Sequence, residues 1–246
     1  MHYRVIIPFA GRAPEELSER LADFAVDGIE ERDDSLAVFF SSLDDALAMA
    51  ELDSGPPEEM ADRNWSAEWQ AEWKPICVGE RFFLCPPWLD APTPAGRVRL
   101  EMMPGNVFGG GDHPTTQLCL ELIETVVREG VCIADIGAGT GILTHAVRGL
   151  GATAVGCDID PAAVVDFVGS ANALAGGRFD GIIANIHVGV LRELRAEFLR
   201  LLRPGGWLVV SGFLPEQAVE MEALFGTLTD FRERDGWCAA VARIPL

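Results

Sequence analysis

The sequence predicts an α/β protein built on a doubly wound parallel sheet, with a small α/β unit in front of it. Three observations carry this expectation. From Ile133 onward, strand-length apolar runs alternate with helix-length amphipathic segments; the first of these runs ends in a glycine turn; and a Ser-Gly-Pro-Pro break at residues 54–57 separates this stretch from a shorter series of elements before it. Strands that alternate with helices imply parallel pairing, because each parallel pair needs a crossover connection.

In the leading unit, Tyr3–Phe9 alternates as a strand and Leu17, Leu21 and Phe24 fall at helical spacing within Pro14–Phe24. Leu36–Phe40 is β-like and Leu43–Leu52 helical, so the expected order is β-α-β-β-α, a ferredoxin-like arrangement over residues 1–54. Its Asp/Glu-rich connections hold no catalytic constellation. Residues 55–95 read as a linker. They contain a helix striped with Trp65, Trp69 and Trp73, which suits packing between domains, and a stiff stretch with Pro86, Pro87, Pro92 and Pro94. Arg81–Cys85 and Arg97–Met102 are strand candidates, and the large domain is expected over residues 96–246.

Pro104–Glu124 reads as a glycine-rich loop feeding an amphipathic helix, with Thr115 or Thr116 as its N-cap and Leu118, Leu122 and Ile123 on one face. Three successive glycines after Phe108 cost chain entropy and suit a close approach, so the loop is expected to act as a ligand lid. Next, Ile133–Asp160 reads as strand, glycine turn, helix and second strand closed by Asp158. Glycines allow the turn to approach a ligand, free N–H groups at the new helix would favour polar ligand groups, and Asp158 can accept hydrogen bonds from a ribose diol. A dinucleotide fingerprint needs glycine at position 142, which is Ile142, so the pattern is D-x-G-x-G-x-G. The pattern alone leaves a dinucleotide enzyme and a purely structural βαβ unit open.

Beyond Asp160 there is room for one helical turn before a strand at Asp166–Gly169, short for a parallel crossover. Phe179–Ile186 is a buried parallel-type strand that carries Asn185. Leu191, Leu194, Phe198, Leu201 and Leu202 line one face of a helix that stops at Pro204-Gly205-Gly206. A strand at Trp207–Phe213, a helix at Glu216–Phe225 and an antiparallel pair, Thr227–Phe231 with Trp237–Ile244, close the sheet. The site belongs beyond the strand carboxyl ends, where Asp135, Asp158 and Asn185 sit.

Composition narrows the function. The 246 residues are 49% hydrophobic, enough for a sizeable core, and no run approaches the ~18 apolar residues of a membrane span. The opening residues lack a signal-peptide pattern, so a cytoplasmic protein with no membrane contact is expected. Six cysteines without a C-x-x-C pair and four scattered histidines suggest no metal site. A net charge of −19 argues against direct nucleic-acid binding and suits a basic partner, though acidic surfaces also serve solubility.

The ordered set WSAEWQAEWKP, PGNVFGGGDHPTT, LCLELIE, the glycine turn, DIDP, ANI and PGGWLVVSGFLPEQ resembles the ribosomal protein L11 methyltransferases, from about Trp65 to Gln217. The resemblance implies a Rossmann-like class I methyltransferase domain that uses S-adenosylmethionine, with the small leading domain as substrate-recognition module. It implies cofactor binding by Phe108, Thr115, Thr116, Gly137, Gly139, Asp158 and Asn185, with Thr116 and Gly137 at the methionyl end and Phe108 closing over the ligand. Asn185 would also be catalytic, orienting the acceptor amine. The implied reaction is methyl transfer to lysine and N-terminal amines of ribosomal protein L11 by a monomer. The chain departs from the family in the missing helix after Asp160, in Gly110 for a usual threonine and in His187 for a usual leucine. These departures keep two alternatives open, a methyltransferase for another protein or small amine and a non-catalytic binding protein on the same scaffold.

Overall fold

The computed structural model describes residues 2–9, 21, 24–32, 34–50, 55–60, 73–101 and 109–243. Most of the expected Pro14–Phe24 helix, the tryptophan stripe apart from Trp73, and Phe108 lie outside these residues. The chain forms two units, Met1–Trp73 and Lys74–Leu246.

In the first unit, alternation of apolar residues makes β1 (His2–Pro8), β2 (Gly28–Glu31) and β3 (Ser35–Phe40), followed by α1 (Leu43–Ala50) and β4 (Glu58–Met60). The sheet order is β2-β3-β1-β4 with every neighbour antiparallel, which is ferredoxin-like. Val5, Ile7, Leu36, Val38 and Phe40 face one side and bury against Ala46 and Met49 of α1. Residues 55–95, read above as a linker, thus contribute β4 to this sheet. They also contribute β5 (Ile76–Val78) and β6 (Phe82–Cys85) to a three-stranded sheet of the second unit, completed by β7 (Val98–Glu101).

The second unit is dominated by a seven-stranded sheet. Its elements are α2 (Pro114–Val126), β8 (Cys132–Ile136), α3 (Ile142–Gly149), β9 (Thr153–Asp158), β10 (Phe167–Val168), β11 (Phe179–Asn185), α4 (Val188–Leu201), β12 (Leu202–Phe213), α5 (Ala218–Phe225), β13 (Leu228–Arg234) and β14 (Trp237–Arg243). Their order is β10-β9-β8-β11-β12-β14-β13, parallel except for β14, which runs antiparallel to both its neighbours. The central strands are apolar on both faces because both are covered. Ala134, Ile136, Ile182, Ala184, Leu208 and Val210 pack with Leu191 and Phe198 of α4 and Met221 and Phe225 of α5. The alternate residues of the same strands face α2 and α3, as the Asp135–Thr144 hydrogen bond records. Among the described residues no helix is long and apolar enough to cross a membrane.

One local expectation is corrected, and the strand expected after the short connection is found. The cap of α2 is His113 and not Thr115 or Thr116. Pro114 sets the first helical φ, and His113 Nδ1 accepts from the Thr115 N–H at 3.3 Å. The short crossover after β9 does close a parallel pair without a helix: Phe167 and Val168 lie beside Cys157 and Asp158. An ionic clamp replaces the missing turns. Asp166 accepts from the Gly156 N–H at 2.8 Å and from Arg148 of α3 at 2.6 Å, while Val164 N donates to Gly139 O at 2.8 Å.

Candidate active site

A cavity of about 680 Å³ opens at the carboxyl ends of β8, β9 and β11. That is where the chain reverses direction across the sheet, since β9 and β10 lie on one side of β8 and β11 on the other. Its wall includes Gly137, Gly139, Asp158, Asn185 and Thr115 among the residues singled out from the sequence. Thr116 is fully buried behind that wall, its hydroxyl 3.5 Å from Asn185 Nδ2. Asp135 is also behind it, within β8. Phe108 lies outside the described residues.

The glycine turn is rigid because its amides are already used. Gly137 and Ala138 N–H groups donate to Cys157 O at 2.9 and 3.1 Å, Gly141 N–H donates to Ala138 O at 2.8 Å, and Gly139 N–H donates to Asp158 Oδ2 at 2.9 Å. The free N–H groups expected at the start of the new helix do not include these four amides of the turn. A pyrophosphate cradle needs free donors; here three of the four hold β8 to β9, and the Gly141 N–H closes the turn on Ala138. Gly137 is a glycine by necessity: its φ is +73°, and a Cβ would lie 2.3 Å from Ile186 Cγ2. Gly109 of the preceding glycine loop is tied down as well, its carbonyl accepting from Thr140 Oγ1 at 2.6 Å.

Asp158 is oriented from two sides, with Asp160 N–H donating to Oδ1 at 2.9 Å and Gly139 N–H to Oδ2. An ionised carboxylate has about four lone-pair positions, so each oxygen keeps one for a diol. Asn185 closes β11, is 8% exposed, and its Oδ1 is buried with no hydrogen-bond partner. Such an orphaned acceptor costs roughly 1–3 kcal/mol, and a donor from a ligand would recover it. An acid with acceptor positions to spare and an unpaired amide oxygen on one wall, with a turn that leaves no room for a side chain, fit an S-adenosyl nucleoside carrying an amino-acid tail.

Beneath the turn, Asp135 Oδ2 accepts from Thr144 Oγ1 at 2.6 Å while Oδ1 is buried and unpartnered. Burial pushes this carboxyl up to about 6 against the pull of the Thr144 hydrogen bonds.

The other wall was not legible in advance. Glu193, with Val190 and Leu194, comes from α4, and Trp237 stands over His113 with ring centroids 5.4 Å apart. Helical spacing of Val190, Glu193 and Leu194 was the available signal for the first group. Trp237 reaches the site because β14 runs antiparallel to β12, which puts its first residues beside the end of β12. No local pattern announces that.

Comparison with known proteins agrees with this geometry. The family model described as ribosomal protein L11 methyltransferase matches residues 12–244. The ribosomal protein L11 methyltransferase of Burkholderia cenocepacia is 35% identical over 224 residues, covering 84% of this chain and 74% of that protein. The crystal structure of a ribosomal protein L11 methylase from Lactobacillus delbrueckii subsp. bulgaricus superposes with a TM-score of 0.63 and 27% identity, over 70% of this chain and all of that one. A Thermus thermophilus 16S rRNA N2 G1207 methyltransferase, solved with AdoMet and guanosine, shares the fold at a TM-score of 0.52 and 21% identity, over 98% of this chain and 64% of that one. The ordered motifs, the strand order and the matched length together lead to one conclusion: the chain belongs to the ribosomal protein L11 methyltransferase family, enzymes that depend on S-adenosylmethionine.

Proposed function

We propose that this chain methylates ribosomal protein L11 in the cytoplasm, at lysine ε-amines and the N-terminal amine. The observation that carries the reading is the shared wall of Asp158 and Asn185, one prepared for a ribose diol and the other with a buried unpaired oxygen. When bound, the cofactor supplies a methyl group on a sulfonium that is its own leaving group. The chain's task is to orient the acceptor in line and keep it neutral.

Asp158 holds the ribose, while Gly137 and Gly139 let the backbone close on the methionyl end. Thr115 adds a wall, and Thr116 supports Asn185 from behind. Phe108, outside the described residues, is assigned to close over the ligand. Asn185 Oδ1 accepts an N–H from the incoming amine and points its lone pair at the methyl group. An ammonium must first lose a proton, and desolvation between Val190, Leu194 and Trp237 lowers its pKa.

The net charge of −19 supports attraction of a basic protein rather than nucleic acid, and the small first unit is assigned to recognising it. Mass spectrometry of L11 incubated with the purified monomer and S-adenosylmethionine tests the reading. Added methyl increments on lysine and the N-terminus are expected; an unchanged L11 mass in the presence of bound cofactor overturns it.

A further inference from the structure

The cavity has a second end that the proposed chemistry does not use. Following the strand tips from β8 to β9 and on to β10, a ligand held at the glycine turn and at Asp158 would extend its base toward Ile159, Asp160, Gly169, Ser170 and Ala171. This end is thinly walled. The crossover from β9 to β10 spans only residues 159–166 with no helix, and β10 itself has two residues. Ile159, although it lines the cavity, is 77% exposed, and Val164 and Val168 beyond it are 61% and 53% exposed.

The residues here also offer little to read a purine's amino edge. Gly169 and Ala171 have no polar side chain, and Ser170 brings a single hydroxyl. Asp160 is exposed, with its Oδ1 accepting from the Ala162 N–H at 2.8 Å, so a ligand hydrogen bond to this carboxylate would form in competition with water. Of the residues that line this end the largest is Ile159, with the Phe167 ring lying against Gly169.

We propose that the base end of the nucleoside site is open to solvent between Ile159 and Gly169, so that this protein binds S-adenosyl compounds carrying a bulky substituent on the adenine N6. The inference rests on the nucleoside reading of Asp158. A flat base can be held by its faces and by the ribose and amino-acid parts, while a substituent on its outer edge passes through the gap left by the missing helix.

Isothermal titration of the full chain with S-adenosylhomocysteine and with its N6-benzyl derivative separates the two claims. Binding of the benzyl compound no more than tenfold weaker than the parent is expected. A parent that binds with a benzyl compound more than tenfold weaker would overturn the open edge and leave the nucleoside site standing. No binding of the parent would overturn both.

Discussion

The two ends of one cavity are built by opposite means. At the β8–β9 end the Gly137, Ala138, Gly139 and Gly141 amides are tied to their own chain, Asp158 is held by two backbone donors, and Gly137 has no space for a methyl group. At the β10 end an exposed eight-residue crossover is pinned by the Asp166 carboxylate and by backbone bonds from Val164 and Asp166, and leaves apolar side chains in water. The first end must place polar atoms to within a fraction of an ångström, and that demands pre-formed hydrogen bonds. The second has only to flank a flat base, so a short connection suffices. Precision is concentrated where charge and direction matter.

Substituting Asp158 tests the well-built end most severely. Asp158→Ala removes the ribose acceptor and also frees the Gly139 and Asp160 amides, and should weaken S-adenosylhomocysteine binding by roughly 2–4 kcal/mol, about 30- to 1000-fold. Calorimetry beside the wild type reads this directly; affinity unchanged within threefold would mean that Asp158 only shapes the turn.

A smaller effect is expected from the buried acid beneath the turn. Burial holds the folded-state pKa of Asp135 at about 6, above the ordinary carboxyl value of 3.8. Between about pH 4 and 6 the folded chain therefore keeps a proton that the unfolded chain releases, and stability falls as pH rises through that window. The difference amounts to ~2–3 kcal/mol. Asp135→Asn should flatten the fall, as urea unfolding of both proteins at pH 4, 5, 6 and 7 would show. Parallel pH profiles would refute a charge held at a cost within β8.

The smallest change belongs to the β10 end. The Arg148 hydrogen bond, with further help from the Gly156 N–H, holds the Asp166 carboxyl below its ordinary range. Its contribution is present above the unfolded-state pKa and is lost as pH falls through the lower folded-state value. Both partners are 39% exposed, so screening keeps the pair itself to under about 1 kcal/mol. Asp166→Ala should lower Tm by roughly 2–4 °C at pH 7, with part of the effect lost in high salt. A drop several times larger would show that the crossover is a structural keystone and not a thin wall.

Much of this protein could be read from local pattern. The runs at Ile133–Ile136, Phe179–Asn185 and Trp207–Phe213 declare parallel strands because both faces of such strands are buried. The glycine spacing and Asp158 declare a tight turn with an acid at the next strand's end, because conformational freedom and charge are properties of single residues. Tertiary structure alone decided which atoms are still free to bind. It committed the turn amides to Cys157 and Asp158, moved Thr116 behind Asn185, and left the Asn185 oxygen without a partner. It also brought Trp237 to the site through an antiparallel strand and closed the β9–β10 pair without a helix. Hydrogen-bond saturation and the meeting of distant strand ends depend on packing between segments far apart in sequence, and no local pattern encodes them.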